Sequence, residues 1–116
     1  MCRGLYNGTA GALGPEGGSS GTFTMNADFE SSTASIAASL GGDNGNHFFS
    51  ANNMKIVGSD GSFSTNSALI GTTGTNSVSA SIKGYFAGDN AAGVHGQVYQ
   101  NSSAIGDYHA VFYGKR

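Results

Sequence analysis

Charge is scarce in this sequence. Only 10% of the 116 residues are Asp, Glu, Lys or Arg, against roughly a quarter in an ordinary globular domain. Five basic against seven acidic residues leave a formal net charge of −2. The only basic pair is Lys115-Arg116 at the end of the chain. A nucleic-acid surface needs a basic stripe, so a nucleic-acid partner is excluded. Cysteine occurs once, as Cys2. No intramolecular disulfide can form, and packing alone must hold the chain together. No apolar run approaches the length of a membrane helix. No secretory leader is visible, so the start is expected to be a processed or trimmed end. Cys2 reads as an ordinary cysteine, with a lipid-attachment cysteine as the alternative.

Glycine, serine, threonine and asparagine stand where the charge is missing. Glycine alone occurs 20 times. These residues disfavour helix interiors and suit short strands and tight turns. The length fits a single domain over residues 1–116 with one core.

Hydrophobic residues, 38% of the chain, recur with a period of two. Phe23, Met25, Ala27 and Phe29 alternate with polar neighbours, as do Ala34, Ile36, Ala38 and Leu40. The same holds for Val78 to Phe86, for Val94 to Val98, and for Tyr108 to Phe112. Each reads as a strand with one apolar face. Weaker strands are expected near Leu5–Thr9, Asn53–Val57 and Ser62–Ile70. Ser59-Asp60-Gly61 reads as a hairpin turn. Gly41–Asn46, Gly71–Thr75 and Gln100–Ile105 read as loops. Residues 10–21, rich in Gly and Ser around Pro15, read as a flexible loop. Roughly eight strands at this spacing predict an all-β, eight-stranded antiparallel up-and-down barrel.

Period two does not say which face meets solvent. A small outer-membrane barrel would point its apolar face at lipid, on strands of about 9–11 residues. Several strands read shorter than this, and Ala and Gly interrupt the apolar face. The soluble, filled barrel is therefore the expectation. A hollow, lipocalin-like barrel for a small ligand is the other alternative. Phe23, Phe29, Phe63, Phe86 and Phe112 are expected to fill the lumen instead.

The segment from Ile82 to Val98 resembles the barrel signature of the transferrin-binding-protein-B-like family, G-x-F-Y-G-P-x-A-x-E-x-G-G-x-F. Gly84, Phe86, Gly88, Ala91 and Gly96 match it. Ala87, Asp89, Gly93, His95 and Val98 depart from it. Asp28-Phe29, Gly58 with Phe63-Ser64, and Val111 to Arg116 resemble further family strands. The resemblance spans nearly the whole chain in order. It implies a binding or scaffold barrel of a bacterial surface lipoprotein or secreted protein. The wider group is that of solute-binding surface lipoproteins and haemophilin-like secreted haem-binding proteins. It also implies a β-rich handle domain ahead of the barrel in the parent protein, and host-protein, iron or haem acquisition as the role.

Candidate chemistry is sparse. His47, His95 and His109 are the only imidazoles, and they are the weak candidates for haem. His95 and His109 fall on adjacent strands, where a cross-strand pair would bind a transition metal weakly. Two solvated surface histidines are the ordinary account. His47 precedes Phe48-Phe49, which read as core residues at a strand start. The Asp-Asn-Gly segments read as turns, because calcium would want 6–8 oxygens and neither Glu16 nor Glu30 is placed to help. No nucleophile elbow, phosphate loop or dinucleotide fingerprint is present. The expectation is no enzyme, no metal and no cofactor, haem excepted. Tyr85, Tyr99 and Tyr113 fall on the polar face of consecutive strands and form the candidate protein-binding stripe.

Overall fold

The computed structural model describes residues 3–14, 17–42, 45–58, 61–72, 78–88, 91–100 and 109–116. Eight strands follow one another: β1 (Arg3–Gly14), β2 (Gly17–Asp28), β3 (Thr33–Gly42), β4 (Gly45–Val57), β5 (Ser62–Thr72), β6 (Val78–Ala87), β7 (Gly93–Gln100) and β8 (His109–Lys115). Each pairs antiparallel with the next, and β8 returns to β1 to close the barrel. The closing ladder runs from Asn7↔Lys115 to Leu13↔His109. The up-and-down barrel read from the period-two pattern is the fold observed.

Two expectations about length are corrected. Residues 10–21 are not a loop. The β1–β2 ladder continues through Ala10↔Gly21 to Gly14↔Gly17, and only 15–16 fall outside the described residues. These residues lack the β-branched and aromatic side chains that mark strands, so the neighbouring strands supply the pairing that local propensity does not. Likewise β4 starts at Gly45, where a loop and then a short strand were expected, and runs for 13 residues. Strand length therefore does not separate this barrel from a membrane barrel. The exposed outer wall carries Thr9, Thr22, Thr24, Asn26, Ser39, Ser64 and Lys83, and with them Leu5, Phe48, Val57 and Leu69.

The apolar face points inward and fills the lumen. Phe23, Phe63 and Phe112 are buried as expected, and Phe29 and Phe86 pack partly buried against the core. Phe49, Met25, Met54 and Tyr6 join them. The rings form a continuous stack: Phe29 to Phe86 at 5.1 Å, Phe86 to Phe63 at 5.2 Å, Phe63 to Phe112 at 6.3 Å, and Phe112 to Phe23 at 5.2 Å. Tilted and edge-on rings at such distances gain about 0.5–1.5 kcal/mol per pair beyond the area they bury. A hollow small-ligand barrel is incompatible with this stack along the lumen. Phe48, expected in the core, lies on the outer wall, because Phe49 takes the inward position of β4.

Candidate functional site

Strands β6, β7 and β8 present one continuous outer face. Their inward positions carry Ile82, Val94, Val98, Ala110 and Phe112. Alternation then turns Lys83 and Tyr85 of β6, His95, Gln97 and Tyr99 of β7, and His109, Val111 and Tyr113 of β8 outward, and all are exposed. Of the eight large hydrophobic side chains that are exposed among the described residues, Tyr85, Tyr99, Val111 and Tyr113 belong to this face. Tyr113 is the most open, at 63%.

Register decides which of these residues meet. Tyr85 pairs with His95, and His95 pairs with Tyr113. The Tyr85 and His95 rings lie 5.9 Å apart. A phenol–imidazole–phenol row thus crosses three strands. A parallel row runs from Ser81 to Tyr99 to His109, and Lys83, Gln97 and Val111 lie between the two. His109 Nε2 is 3.2 Å from Gln97 Oε1. The three expected tyrosines are therefore exposed on one face, as the alternation requires.

His95 and His109 are not cross-strand partners. His95 faces Tyr113, and His109 faces Tyr99, four residues along β7. The hairpin register separates them, so His95 and His109 do not make a cross-strand metal pair. His47 is paired with Leu40 and Thr72, on β3 and β5, and its side chain is outside the described residues. Among the described residues no group of three His, Cys, Asp or Glu side chains is placed to hold a metal ion. Cys2, Asp89 and Asp107 are likewise outside the described residues.

A second polar feature was not visible in the sequence. Tyr6 is fully buried, and its hydroxyl donates a 2.6 Å hydrogen bond to the carbonyl of Ala91 in the β6–β7 connection. Burial pushes the Tyr6 phenol above its usual value, and the nearby Arg116 charge works against that rise. The Arg116 guanidinium carbon stands 6.0 Å from the Tyr6 ring centroid. Tyr6 thus ties the first strand to a turn that lies far away in sequence. It is a structural group.

The outer wall of β1–β3 also carries an open furrow of about 410 Å³, lined by Leu5, Asn26, Asp28, Thr33 and Ser35 among others. Asp28 Oδ1 accepts hydrogen bonds from the backbone N–H groups of Glu30 and Ser31, at 3.1 and 3.3 Å. That carboxylate is engaged in shaping the β2–β3 turn.

No protein-family model matches the chain, and no curated protein is similar to it in sequence. Among solved structures, it is similar to a single-substitution mutant of the vaccine antigen Transferrin Binding Protein B from Haemophilus parasuis. The two share 20% identity with a TM-score of 0.58, over 99% of this chain and 27% of that one. This chain therefore spans about a quarter of that protein's length. The likeness shows the fold: an eight-stranded barrel of the transferrin-binding-protein-B type.

Proposed function

We propose that this chain is a non-enzymatic binding barrel of a bacterial surface-exposed or secreted protein, and that its partner is a protein met by the outer wall. The observation that carries this reading is the division between a lumen filled by stacked rings and a wall on which Tyr85, Tyr99 and Tyr113 are exposed together. A filled lumen leaves the outside as the place for recognition. Tyrosine supplies large, rigid contact area at low entropic cost and is enriched in protein interfaces. The Haemophilus parasuis protein with the same barrel type is named for binding transferrin, and a role for this chain in acquiring iron or haem from a host belongs to the same reading. A handle domain and lipid attachment in the parent protein belong to the same reading.

Serum transferrin and other host iron- and haem-carrying proteins would be passed over the immobilised domain. A second surface would carry the triple variant Tyr85→Ser, Tyr99→Ser, Tyr113→Ser. One of these proteins is expected to bind, and the triple variant to weaken it by about 3 kcal/mol or more, the scale of a small hot-spot cluster. Binding unaffected by the triple variant, with the fold verified by circular dichroism, would overturn the reading. Haemin at micromolar concentration should leave its Soret band unshifted. A shift that is lost on replacing His95 or His109 would put haem in place of the protein partner.

A further inference from the structure

The tyrosine wall has a charge of one sign. Strands β6, β7 and β8 contain no Asp or Glu at all. They do carry Lys83 and Lys115, with His95 and His109 beside the phenols, all exposed. The chain as a whole is acidic, at −2. Six of its seven carboxylates, Glu16, Glu30, Asp43, Asp60, Asp89 and Asp107, fall between strands in the sequence, and the seventh, Asp28, ends β2. A basic and aromatic wall on an acidic molecule gives the surface a direction.

We infer that the partner presents a carboxylate-rich segment to the wall of β6–β8. The inference rests on the reading of that wall as a protein-binding surface and names the partner's chemistry. The occupant follows from complementarity. A second copy of this chain is a poor fit, since an isologous pairing of two such walls would set lysine against lysine with no carboxylate between them. A basic partner would meet the same repulsion. An acidic segment supplies acceptors to the Lys83 and Lys115 ammonium groups, to the imidazole N–H groups and to the tyrosine hydroxyls, all of which can donate. Its own side-chain stems would lie over the rings of Tyr85, His95 and Tyr113. Lys83 sits opposite Gln97, between the two aromatic rows. It is therefore central to the wall, and Lys115 lies at its edge. Charges placed this way steer encounter and choose partners more than they add raw affinity, and salt weakens them.

The test uses the whole domain, ¹⁵N-labelled, and two synthetic peptides. One alternates glutamate and serine, and the other has glutamine in place of every glutamate. The glutamate peptide is expected to shift the backbone amides of Tyr85, His95, Tyr99 and Tyr113 in a saturable way. Its dissociation constant should rise about ten-fold between roughly 50 and 300 mM salt. The double variant Lys83→Gln, Lys115→Gln should weaken it about three-fold or more, and the glutamine peptide should not saturate. The inference is overturned if the two peptides bind alike, if binding ignores salt and the lysine variants, if the shifts fall on other strands, or if neither peptide binds at about 1 mM. The two readings fail separately. Charge-independent binding at the wall removes the acidic partner and leaves the tyrosine surface standing. Host-protein binding that survives the triple tyrosine variant removes the tyrosine surface itself.

Discussion

At the scale of single residues, the signature glycines have two different reasons to be glycine. Gly84 and Gly96 face each other across β6 and β7. A Cβ on Gly96 would stand 2.5 Å from Phe112 Cζ and 2.7 Å from the Lys83 carbonyl oxygen. A Cβ on Gly84 would meet Phe63 Cζ at 2.5 Å and the His95 carbonyl oxygen at 2.6 Å. Their missing side chains make the space in which the stacked rings lie. Gly88 instead has a φ of +81°, which an L side chain rarely adopts. The signature sets Gly84 and Gly88 on either side of Phe86, and the structure separates close approach from turn geometry. Gly96→Ala should cost about 1–3 kcal/mol through overpacking. Urea denaturation would read it, and an unchanged midpoint would show that the ring stack can shift aside.

Tyr6 makes a different residue-scale point. Alternation around Leu5, Tyr6 and Asn7 does not say which neighbour turns inward. Leu5 is 53% exposed opposite Asn26, and Tyr6 is buried opposite Met25, where its hydroxyl reaches the Ala91 carbonyl. Burial holds the folded phenol above its ordinary value. The unfolded chain ionises first as pH rises past about 10. The stability that Tyr6 contributes is therefore full below that point and is lost as pH climbs through the higher folded value. Tyr6→Phe should lose about 1 kcal/mol at neutral pH with the hydrogen bond. It should also lose less than the parent does as the pH rises above about 10. Parallel alkaline profiles for the two proteins would contradict this account.

At the scale of elements, the turns and bulges carry the strain. Ser32, Asn53 and Ala91 have φ values of +58°, +56° and +55°. Asn tolerates this region better than most residues, and Ala does not. Asn53 belongs to a register shift between β3 and β4, where Ala34 pairs with Met54 but Ile36 with Ala51. A second shift lies on β5 against β6, between Thr65 and Ala68. There Ser81 Oγ donates to Asn66 Oδ1 at 2.9 Å. Such bulges bend strands and help a sheet to close. They were illegible in the sequence because a bulge is a property of two strands in register, and alternation describes one strand alone. Ala91 offers the cleanest test. Its N–H bonds back to the Gly88 carbonyl at 3.2 Å, which holds the left-handed turn in place. Ala91→Gly should stabilise the domain by about 0.5–1 kcal/mol in thermal or urea unfolding, as left-handed strain outweighs the added chain entropy. A lower melting temperature would show that the turn is not strained in solution.

At the scale of the whole molecule, the division between inside and outside is the property that links fold to function. Period-two alternation carried that division in the sequence, together with the strand count and the exposed tyrosines. It did not carry the register that sets His95 between two phenols and keeps it from His109. Register depends on turn lengths and on closure between residues as distant as Asn7 and Lys115. Two neighbours on the closing strand test the division directly. Phe112 packs against Phe23, Phe49 and Phe63, from β2, β4 and β5, so one ring on β8 joins strands from across the barrel. Its neighbour Tyr113 points into solvent and pairs with His95 and Thr9. Phe112→Ala should cost about 3–5 kcal/mol, a large part of the stability of a domain this size. Tyr113→Ser should stay within about 0.5 kcal/mol and act on partner binding alone. If both substitutions destabilised equally, the outer aromatic row would be holding the barrel together, and its availability to a partner would have to be given up. If Tyr113→Ser left stability intact and weakened binding, one strand would be shown to close the barrel with one face and present a binding surface with the other.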